Sequence, residues 1–406
     1  MILNEQQIKA IERATSAERM TLISGSAGTG KTTIIAEICN RIEESEKRVP
    51  VLCAFAGKAA ARLREATKRN ASTIHRLLRY NGTAFRMPAG GLRDDTVIVD
   101  EASMLDAALL AEIIKRTPKC LVLVGDQAQL PPVGRGQPYH DMLAIRPDLA
   151  VNLTRCYRAT EAVFQAATAI RSGTCPPSQL TTPGERWALI HTGDAAKTQE
   201  EVMSWVTDNA GDWDWDTDVV LVPRNGESHE EPSTVAGLNR AIADIVLPRD
   251  WGREKWKVGD RVINSKNLPE KDVWNGTTGS ISAIDIDNGI WVKTDEPVQS
   301  SPGSGDDKMT DRVLFSRSER NHLSLAYALT THKAQGSQYR RVLVVCLQRD
   351  LHCLLDRSWI YTAVTRAKHA VVVCGQSQAF RDGIKRVTEK HTVIQELAQI
   401  KSEQKP

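Results

Sequence analysis

The run Gly25-Ser26-Ala27-Gly28-Thr29-Gly30-Lys31-Thr32-Thr33 constrains this chain more than any other stretch. It follows the apolar Met20–Ser24, which reads as a strand, and leads into Ile34-Ile35-Ala36-Glu37-Ile38, whose spacing reads as a helix. Strand, Gly-rich turn and helix in that order satisfy G-x-x-x-x-G-K-[ST], the P-loop pattern. The glycines let backbone N–H groups turn inward around phosphate oxygens, and the helix start adds the positive end of its dipole. In this pattern Lys31 reaches the β- and γ-phosphates of a nucleoside triphosphate, and the Thr32 hydroxyl holds Mg²⁺. The pattern excludes a dehydrogenase-like nucleotide binder.

A second phosphate-side motif supports turnover rather than binding alone. Thr96-Val97-Ile98-Val99 is an apolar strand that ends in Asp100-Glu101. Paired carboxylates at a strand's C-terminal end, beside a P-loop strand, suit metal-assisted phosphate chemistry. Asp100 then serves Mg²⁺ and Glu101 orients and deprotonates a water. The next apolar strand closes on Gly125-Asp126-Gln127-Ala128-Gln129, where the Gln129 amide can donate to a γ-phosphate and accept from water.

Around these motifs the first 155 residues alternate apolar strands with helices: Thr21–Ser24, Val49–Phe55, Thr96–Asp100, Lys119–Val124 and Ala150–Leu153. Strands without polar alternation are buried on both faces, which predicts a parallel α/β sheet. A second set follows at Trp187–His191, Val219–Val222, Leu325–Thr330, Arg341–Leu347 and Ala370–Cys374, predicting a second lobe. The 406 residues allow two or three domains at about 150 residues each. Between the sets, Trp256 to Phe315 shows short alternating strands with Asn-Gly turns, the pattern of a small β barrel. Loops are expected at Ser172–Arg186, Asn225–Thr234 and Glu296–Asp307. A possible hairpin spans Tyr80–Asp95.

A net charge of +3 does not announce a nucleic-acid binder, so any such groove must come from local arrangement. No apolar run spans a membrane, and the N-terminus carries no signal-peptide pattern. The eight cysteines form no C-x-x-C pair, and buried, reduced thiols in a cytosolic protein are expected.

In this order the elements resemble superfamily 1 helicases, specifically their 5′→3′ RecD/Dda-like branch, superfamily 1B. Asn4-Glu5-Gln6-Gln7 with Ala10 resembles the adenine-reading segment, which puts Gln7 on the base. The P-loop and the Asp100-Glu101 strand resemble motifs I and II, and Gly125–Gly136 is similar to motif III. Leu153–Arg158 resembles motif IV, implying that Arg158 contacts the γ-phosphate. Ala328–Ser337 resembles motif V and Tyr361–Lys368 motif VI, implying that Arg366 is an arginine finger.

The resemblance implies two RecA-like motor lobes, residues 1–155 and 156–250 with 320–395. An SH3-like barrel insert (251–319), a pin hairpin (80–95) and a tail (396–406) complete the layout. ATP and Mg²⁺ are the implied cofactors. Gly25, Ala27, Gly28, Thr29, Gly30, Lys31, Thr32, Thr33 and Gly336 join Gln7 around the nucleotide. Thr32 and Asp100 serve the metal, and Lys31, Glu101, Gln129, Arg158 and Arg366 the reaction.

Single-stranded DNA and its junctions with duplex are the implied substrate. Cys53–Ala60 resembles motif Ia, which puts Lys58 near a phosphate, while Phe55 either stacks on a base or belongs to the core. Ser72–Leu77 resembles motif Ib, with Thr73 and His75 on the strand, although His75 reads equally as a structural histidine. Thr331, His332, Lys333 and Gln335 of motif V are further contacts. Phe85, or Met87-Pro88, is the wedge if Tyr80–Asp95 is a pin rather than a plain loop. Asn275, next to Trp274, is a contact if that turn faces DNA.

The compact length resembles the stand-alone type known from bacteriophage replication and recombination. It implies a monomer in bacterial cytoplasm, working beside single-strand-binding or replication proteins. The rival readings are a translocase that strips proteins from DNA, a viral-type RNA helicase, and a regulatory ATP-binding switch.

Overall fold

The computed structural model describes residues 3–16, 18–155, 161–182, 185–208, 212–285, 287–299, 309–388, 390 and 392. The chain divides into two compact units, Met1–Ala159 with Thr388–Pro406, and Thr160–Val387.

The first unit is built on β1 (Met20–Gly25), β2 (Val51–Ala54), β3 (Ala71–Thr73), β4 (Thr96–Asp100), β5 (Cys120–Gly125) and β6 (Ala150–Leu153). The sheet order is β3-β2-β4-β5-β1-β6 and every pairing is parallel. Side chains alternate between its faces. Ile23, Ile98, Val122 and Val124 pack with Ile34, Ile35 and Ile38, while Leu22, Val97, Val99, Leu121 and Leu123 fill a separate core on the other side. Both faces are apolar because both are covered, as the unalternating sequence runs predict. Helix α1 (Glu5–Ala14), α2 (Lys31–Glu46) and α3 (Gly57–Thr67) supply part of that cover. One expectation changes here: β5 stands between the strand of Asp100 and the P-loop strand, so the two are not direct neighbours.

The second unit begins with the helix Glu161–Arg171, and its first strands are β7 (Gln179–Thr182), β8 (Glu185–His191) and β9 (Asp218–Val222). The chain then leaves this sheet to form β10 (Arg261–Asn264), β11 (Thr278–Asp285), β12 (Gly289–Gln299), β13 (Met309–Phe315) and β14 (Leu323–Leu325). It returns as β15 (Ala328–Thr330), β16 (Tyr339–Cys346) and β17 (Ala367–Gly375). The main sheet runs β15-β9-β16-β17-β8-β7, antiparallel only at β7–β8.

The inserted strands make an antiparallel five-stranded sheet in the order β13-β12-β11-β10-β14, around a core that includes Val262, Ile281, Val292 and Phe315. In this sheet, which covers the stretch expected as a small barrel, β13 and β14 are the end strands. It is fastened to its unit by a buried pair: Arg249 Nη1 donates to Asp260 Oδ2 at 2.6 Å, and Tyr327 Oη donates to Asp260 Oδ1 at 3.1 Å. Arg261 adds bonds to Asp295 and, at 2.9 Å, to Asp216 beside β9.

Several other boundaries differ from the sequence reading. Ser172–Arg186, expected as a loop, contains β7, whose polar Gln-Leu-Thr-Thr gives little strand signal. Leu325–Thr330 is not one strand: its start belongs to the inserted sheet and Ala328–Thr330 to the main one. From Thr388 the chain belongs to the first unit, where Lys390 Nζ donates to Gly134 O at 3.2 Å. Cys175 and Cys353 are exposed, whereas Cys39, Cys53, Cys120, Cys346 and Cys374 are buried as expected. Most of the Glu296–Asp307 stretch and the 396–406 tail lie outside the described residues.

Candidate active site and nucleic-acid edge

In the first unit the P-loop follows β1. The chain turns through Gly28 and Gly30 at φ of +83° and +84°, values that glycine adopts without strain. A Cβ on Gly25 would sit 2.4 Å from Thr29 Oγ1 and 3.0 Å from Leu153 Cβ, so that position has no room for a side chain, while Gly30 is held by its positive φ. Helix α2 starts at Lys31 with Gly30 as an N-cap that makes no side-chain bond, so the cap does not compete for the first N–H groups. Lys31 Nζ donates to Gly25 O at 2.6 Å and Ser26 O at 3.1 Å, which lays the ammonium along the loop that would cradle phosphate. Thr29 is buried with its hydroxyl on Ser26 O, and Ala27, Thr32 and Thr33 are half-buried.

Gln7, expected on the adenine, lies beside the P-loop. Its Oε1 accepts from Asn4 N at 3.1 Å, closing a capping box on α1, and its Nε2 donates to Thr29 O at 3.3 Å. Both ends of the amide are therefore engaged, and its contact is with the P-loop.

The carboxylate pair sits at the C-terminal end of β4. Asp100 is buried, with Oδ1 accepting from Glu101 N at 2.9 Å. Burial first, and the neighbouring Glu101 second, push its carboxyl up to about 6, against the opposing pull of Arg62 and Lys31. Glu101 is also buried and adopts φ of +53°, a left-handed conformation that costs a non-glycine residue roughly 1–2 kcal/mol. Arg62 Nη2, from α3, lies 3.5 Å from Glu101 Oε1. Gln129 is buried beyond β5, with Nε2 at 3.5 Å from Asp126 Oδ2. Among the described residues no group of three or more His, Cys, Asp or Glu side chains forms a metal site. A hydroxyl, a carboxylate and phosphate oxygens suit Mg²⁺, which keeps several waters and takes one or two carboxylates. Thr32 and Asp100 fit that role.

The expected nucleic-acid residues of this unit follow the C-terminal ends of the adjacent strands β2 and β3, which are in register at Ala54 and Thr73. Lys58 lies in the first turn of α3. Thr73 caps the next short helix, its Oγ1 accepting from Arg76 N at 3.2 Å. Phe55, His75, Tyr80 and Phe85 form one ring cluster, with centroid spacings of 6.3 Å (Phe55–His75), 5.4 Å (His75–Tyr80) and 4.8 Å (Tyr80–Phe85). Burial holds the His75 imidazole below its usual range, partly offset by Asp106. Both readings of Phe55 meet here, since it is half-buried against the core yet part of the cluster.

The hairpin expectation is modified. Tyr80 and Phe85 form a single antiparallel bridge, and Asn81–Ala84 make the exposed tip. Phe85 stands at the base, half-buried in the core, and Arg116 donates to Phe85 O and, at 2.9 Å, to Met87 O. Phe85, the expected wedge, thus packs at the hairpin base rather than at its tip.

In the second unit, Thr331 and Gln335 are buried, and Thr331 Oγ1, Gln335 Nε2 and Ser337 Oγ make no hydrogen bond among the described residues. Gly336 is buried at φ of +77°, and half-buried His332 and Lys333 lie on the four-residue helix Thr331–Ala334. Desolvation lowers the Lys333 ammonium from its usual range. Arg366 is buried; its guanidinium donates to Thr362 O at 3.0 Å, Thr365 Oγ1 at 3.2 Å and Ser337 O at 3.4 Å. Asn275 is exposed on a turn of the inserted sheet and donates from its backbone N to Asn267 Oδ1, while Trp274 is half-buried with its indole N–H on Asp272. Arg158 lies outside the described residues.

Sequence reasoning missed Arg62. It sits in an Arg-Leu-Arg-Glu stretch that reads as a solvated helix face, and only the fold brings it to Glu101.

An AAA domain model matches residues 2–195 and a UvrD-like helicase C-terminal domain model matches residues 325–374. The chain is 30% identical over 407 residues to the ATP-dependent RecD2 DNA helicase of Deinococcus radiodurans, covering 95% of this chain but only 51% of that relative's length. It is 30% identical over 430 residues to the RecBCD enzyme subunit RecD of Mycobacterium tuberculosis, covering 94% of this chain and 71% of that subunit. Among solved structures, Pif1 helicases studied at forked duplex DNA share the fold at TM-score 0.57 and 18% identity, covering 100% of this chain and 98% of theirs. Pif1 from Bacteroides, solved with ADP-AlF3 and single-stranded DNA, gives 0.52 at 20% identity, with coverage of 100% and 98%. The chain belongs to the RecD-like branch of the superfamily 1B helicases.

Proposed function

We propose that this chain is an ATP-dependent motor that moves 5′→3′ along single-stranded DNA and opens duplex at a junction. One observation carries the reading: Lys31, Asp100-Glu101 and Gln129 follow the C-terminal ends of β1, β4 and β5, while Phe55, Lys58, Thr73 and His75 follow those of β2 and β3. Ligands of open α/β sheets gather at that edge, so one sheet presents a nucleotide site and a strand-binding site side by side. The RecD2 relative, named an ATP-dependent DNA helicase, supports DNA as the track.

In this reading the P-loop amides and Lys31 bind the β- and γ-phosphates, replacing the Gly25 and Ser26 carbonyls as the ammonium's acceptors. Mg²⁺, when bound through Thr32 and Asp100, neutralises charge on the phosphates. Glu101 accepts a proton from water as the water oxygen bonds to the γ-phosphorus. The bond to the β-phosphate oxygen breaks, giving ADP and phosphate. Gln129 orients the water or the γ-phosphate. Arg366 stabilises the transferring group, which requires it to exchange Thr362, Thr365 and Ser337 for phosphate oxygens. Arg158 is assigned the companion γ-phosphate contact. Thr331, His332, Lys333 and Gln335 contact the strand, and the unpartnered buried polar atoms of Thr331 and Gln335 support a ligand there. Asn275 is a further contact. Action in bacterial cytoplasm is supported by the bacterial source of both relatives.

The position of Phe85 at the hairpin base favours a second reading, a translocase that strips proteins from DNA with little unwinding. Strand displacement with ATP and Mg²⁺ on 5′-tailed and 3′-tailed partial duplexes decides. Displacement from the 5′-tailed duplex alone is expected of the helicase. DNA-stimulated ATPase without displacement from either would favour the translocase, and displacement from the 3′-tailed duplex alone would contradict both.

A further inference from the structure

Helix α3 joins the two halves of the sheet edge. It leaves the C-terminal end of β2, which is in register with β4 at Ala54 and Asp100, and carries Lys58 in its first turn and Arg62 one turn later. Residues four apart share a helix face, so the two cations are neighbours. Arg62 reaches Glu101 Oε1 at 3.5 Å, and it also acts electrostatically on Asp100. The Glu101 side chain is 7% exposed and that of Arg62 26%, so the carboxylate is enclosed while the guanidinium keeps an open side. Among the described residues Arg62 is the only cation paired with Glu101.

We infer that Arg62 is a positioning residue that couples strand binding to hydrolysis: it occupies Glu101 until a backbone phosphate beside Lys58 draws it away. A guanidinium is well shaped for phosphate, binding two oxygens at once, so a nucleic-acid phosphate is a competitive acceptor. The ion pair with Arg62 holds Glu101 Oε1 toward α3 rather than toward the water it would activate. Release of the pair by DNA frees that oxygen and lets the base act. Turnover without DNA is thereby held low by a contact inside one unit. This inference rests on the helicase reading above.

The test is steady-state ATPase of wild type, Arg62→Ala, Arg62→Gln and Arg62→Lys, with and without oligodeoxythymidine. Wild type is expected to show DNA stimulation. Arg62→Ala and Arg62→Gln should raise the DNA-free kcat roughly tenfold, which corresponds to one such contact, with KM for ATP unchanged. Their ratio of stimulated to basal rate should fall by the same factor. Arg62→Lys, which keeps the charge without the fork, should fall between. An unchanged ratio in both neutral variants would overturn the inference while leaving the helicase reading intact. A loss of both rates that Arg62→Lys restores would also overturn it, since Arg62 would then support the base rather than restrain it. Absence of ATPase in wild type itself would remove the helicase reading and the inference together. Thermal melts of each variant identify a folding defect, and Arg62→Lys keeps the test decisive if the neutral variants unfold.

Discussion

The ammonium of Lys31 donates to the carbonyl of Gly25 at 2.6 Å, six residues back along its own loop. The side chain that would hold the β- and γ-phosphates is therefore already laid across the mouth of the P-loop by backbone acceptors. Lys31→Ala removes a half-buried surface group rather than core, so the fold should survive while ATP turnover falls by about 10²–10³-fold, the cost of losing one preorganised donor. Steady-state ATPase beside a thermal melt checks this.

Asp100 makes stability depend on pH in an unusual direction. Its carboxyl is pushed up to about 6 in the fold, chiefly by burial and then by Glu101, from 3.8. Between those values the folded chain holds a proton that the unfolded chain has lost, so stability falls as pH rises through this window. Asp100→Asn should remove this slope and stabilise the chain at pH 7.5 by on the order of 1–3 kcal/mol. Magnesium-dependent ATPase should be lost at the same time. Urea unfolding at pH 4.5 and 7.5 provides the comparison.

Phe85 should behave as a packing residue. Its ring lies 4.8 Å from Tyr80 and 5.8 Å from His75, half-buried in the core. Phe85→Ala is expected to cost about 1–3 kcal/mol, less than a fully buried phenylalanine. The ratio of strands displaced to ATP consumed should stay unchanged. A selective loss of displacement would restore the wedge.

The inserted sheet should depend on one buried pair. Arg249 and Asp260 have side chains with 0% exposure and form a forked contact. Asp260→Asn strands the guanidinium, and breaking such a pair costs about 3–5 kcal/mol. Equilibrium urea unfolding should show that loss, or an early transition confined to the insert.

Much of this was legible in the residues. The P-loop and the Asp100-Glu101 strand announced themselves because each needs a strand followed by a specific turn, and β4 and β6 begin and end where the apolar runs do. What escaped was non-local or weakly patterned. β3 is three residues long, β7 is mostly polar, and Leu325 and Ala328 fall in different sheets although the sequence runs smoothly between them. The bond of the Gln7 amide to the P-loop carries no local signal either, since Thr29 is 22 positions away. Arg62 gave no local signal at all, since its partner is 39 positions away in sequence and meets it only through the β2–β4 register.

The most direct test of a motor driven by Lys31 and Glu101 is displacement of streptavidin from single-stranded DNA biotinylated at one end. Wild type with ATP and Mg²⁺ should displace it from the 3′ end and leave the 5′ end occupied. Lys31→Ala should displace it from neither. Displacement from the 5′ end alone, or equal displacement by Lys31→Ala, would contradict the account.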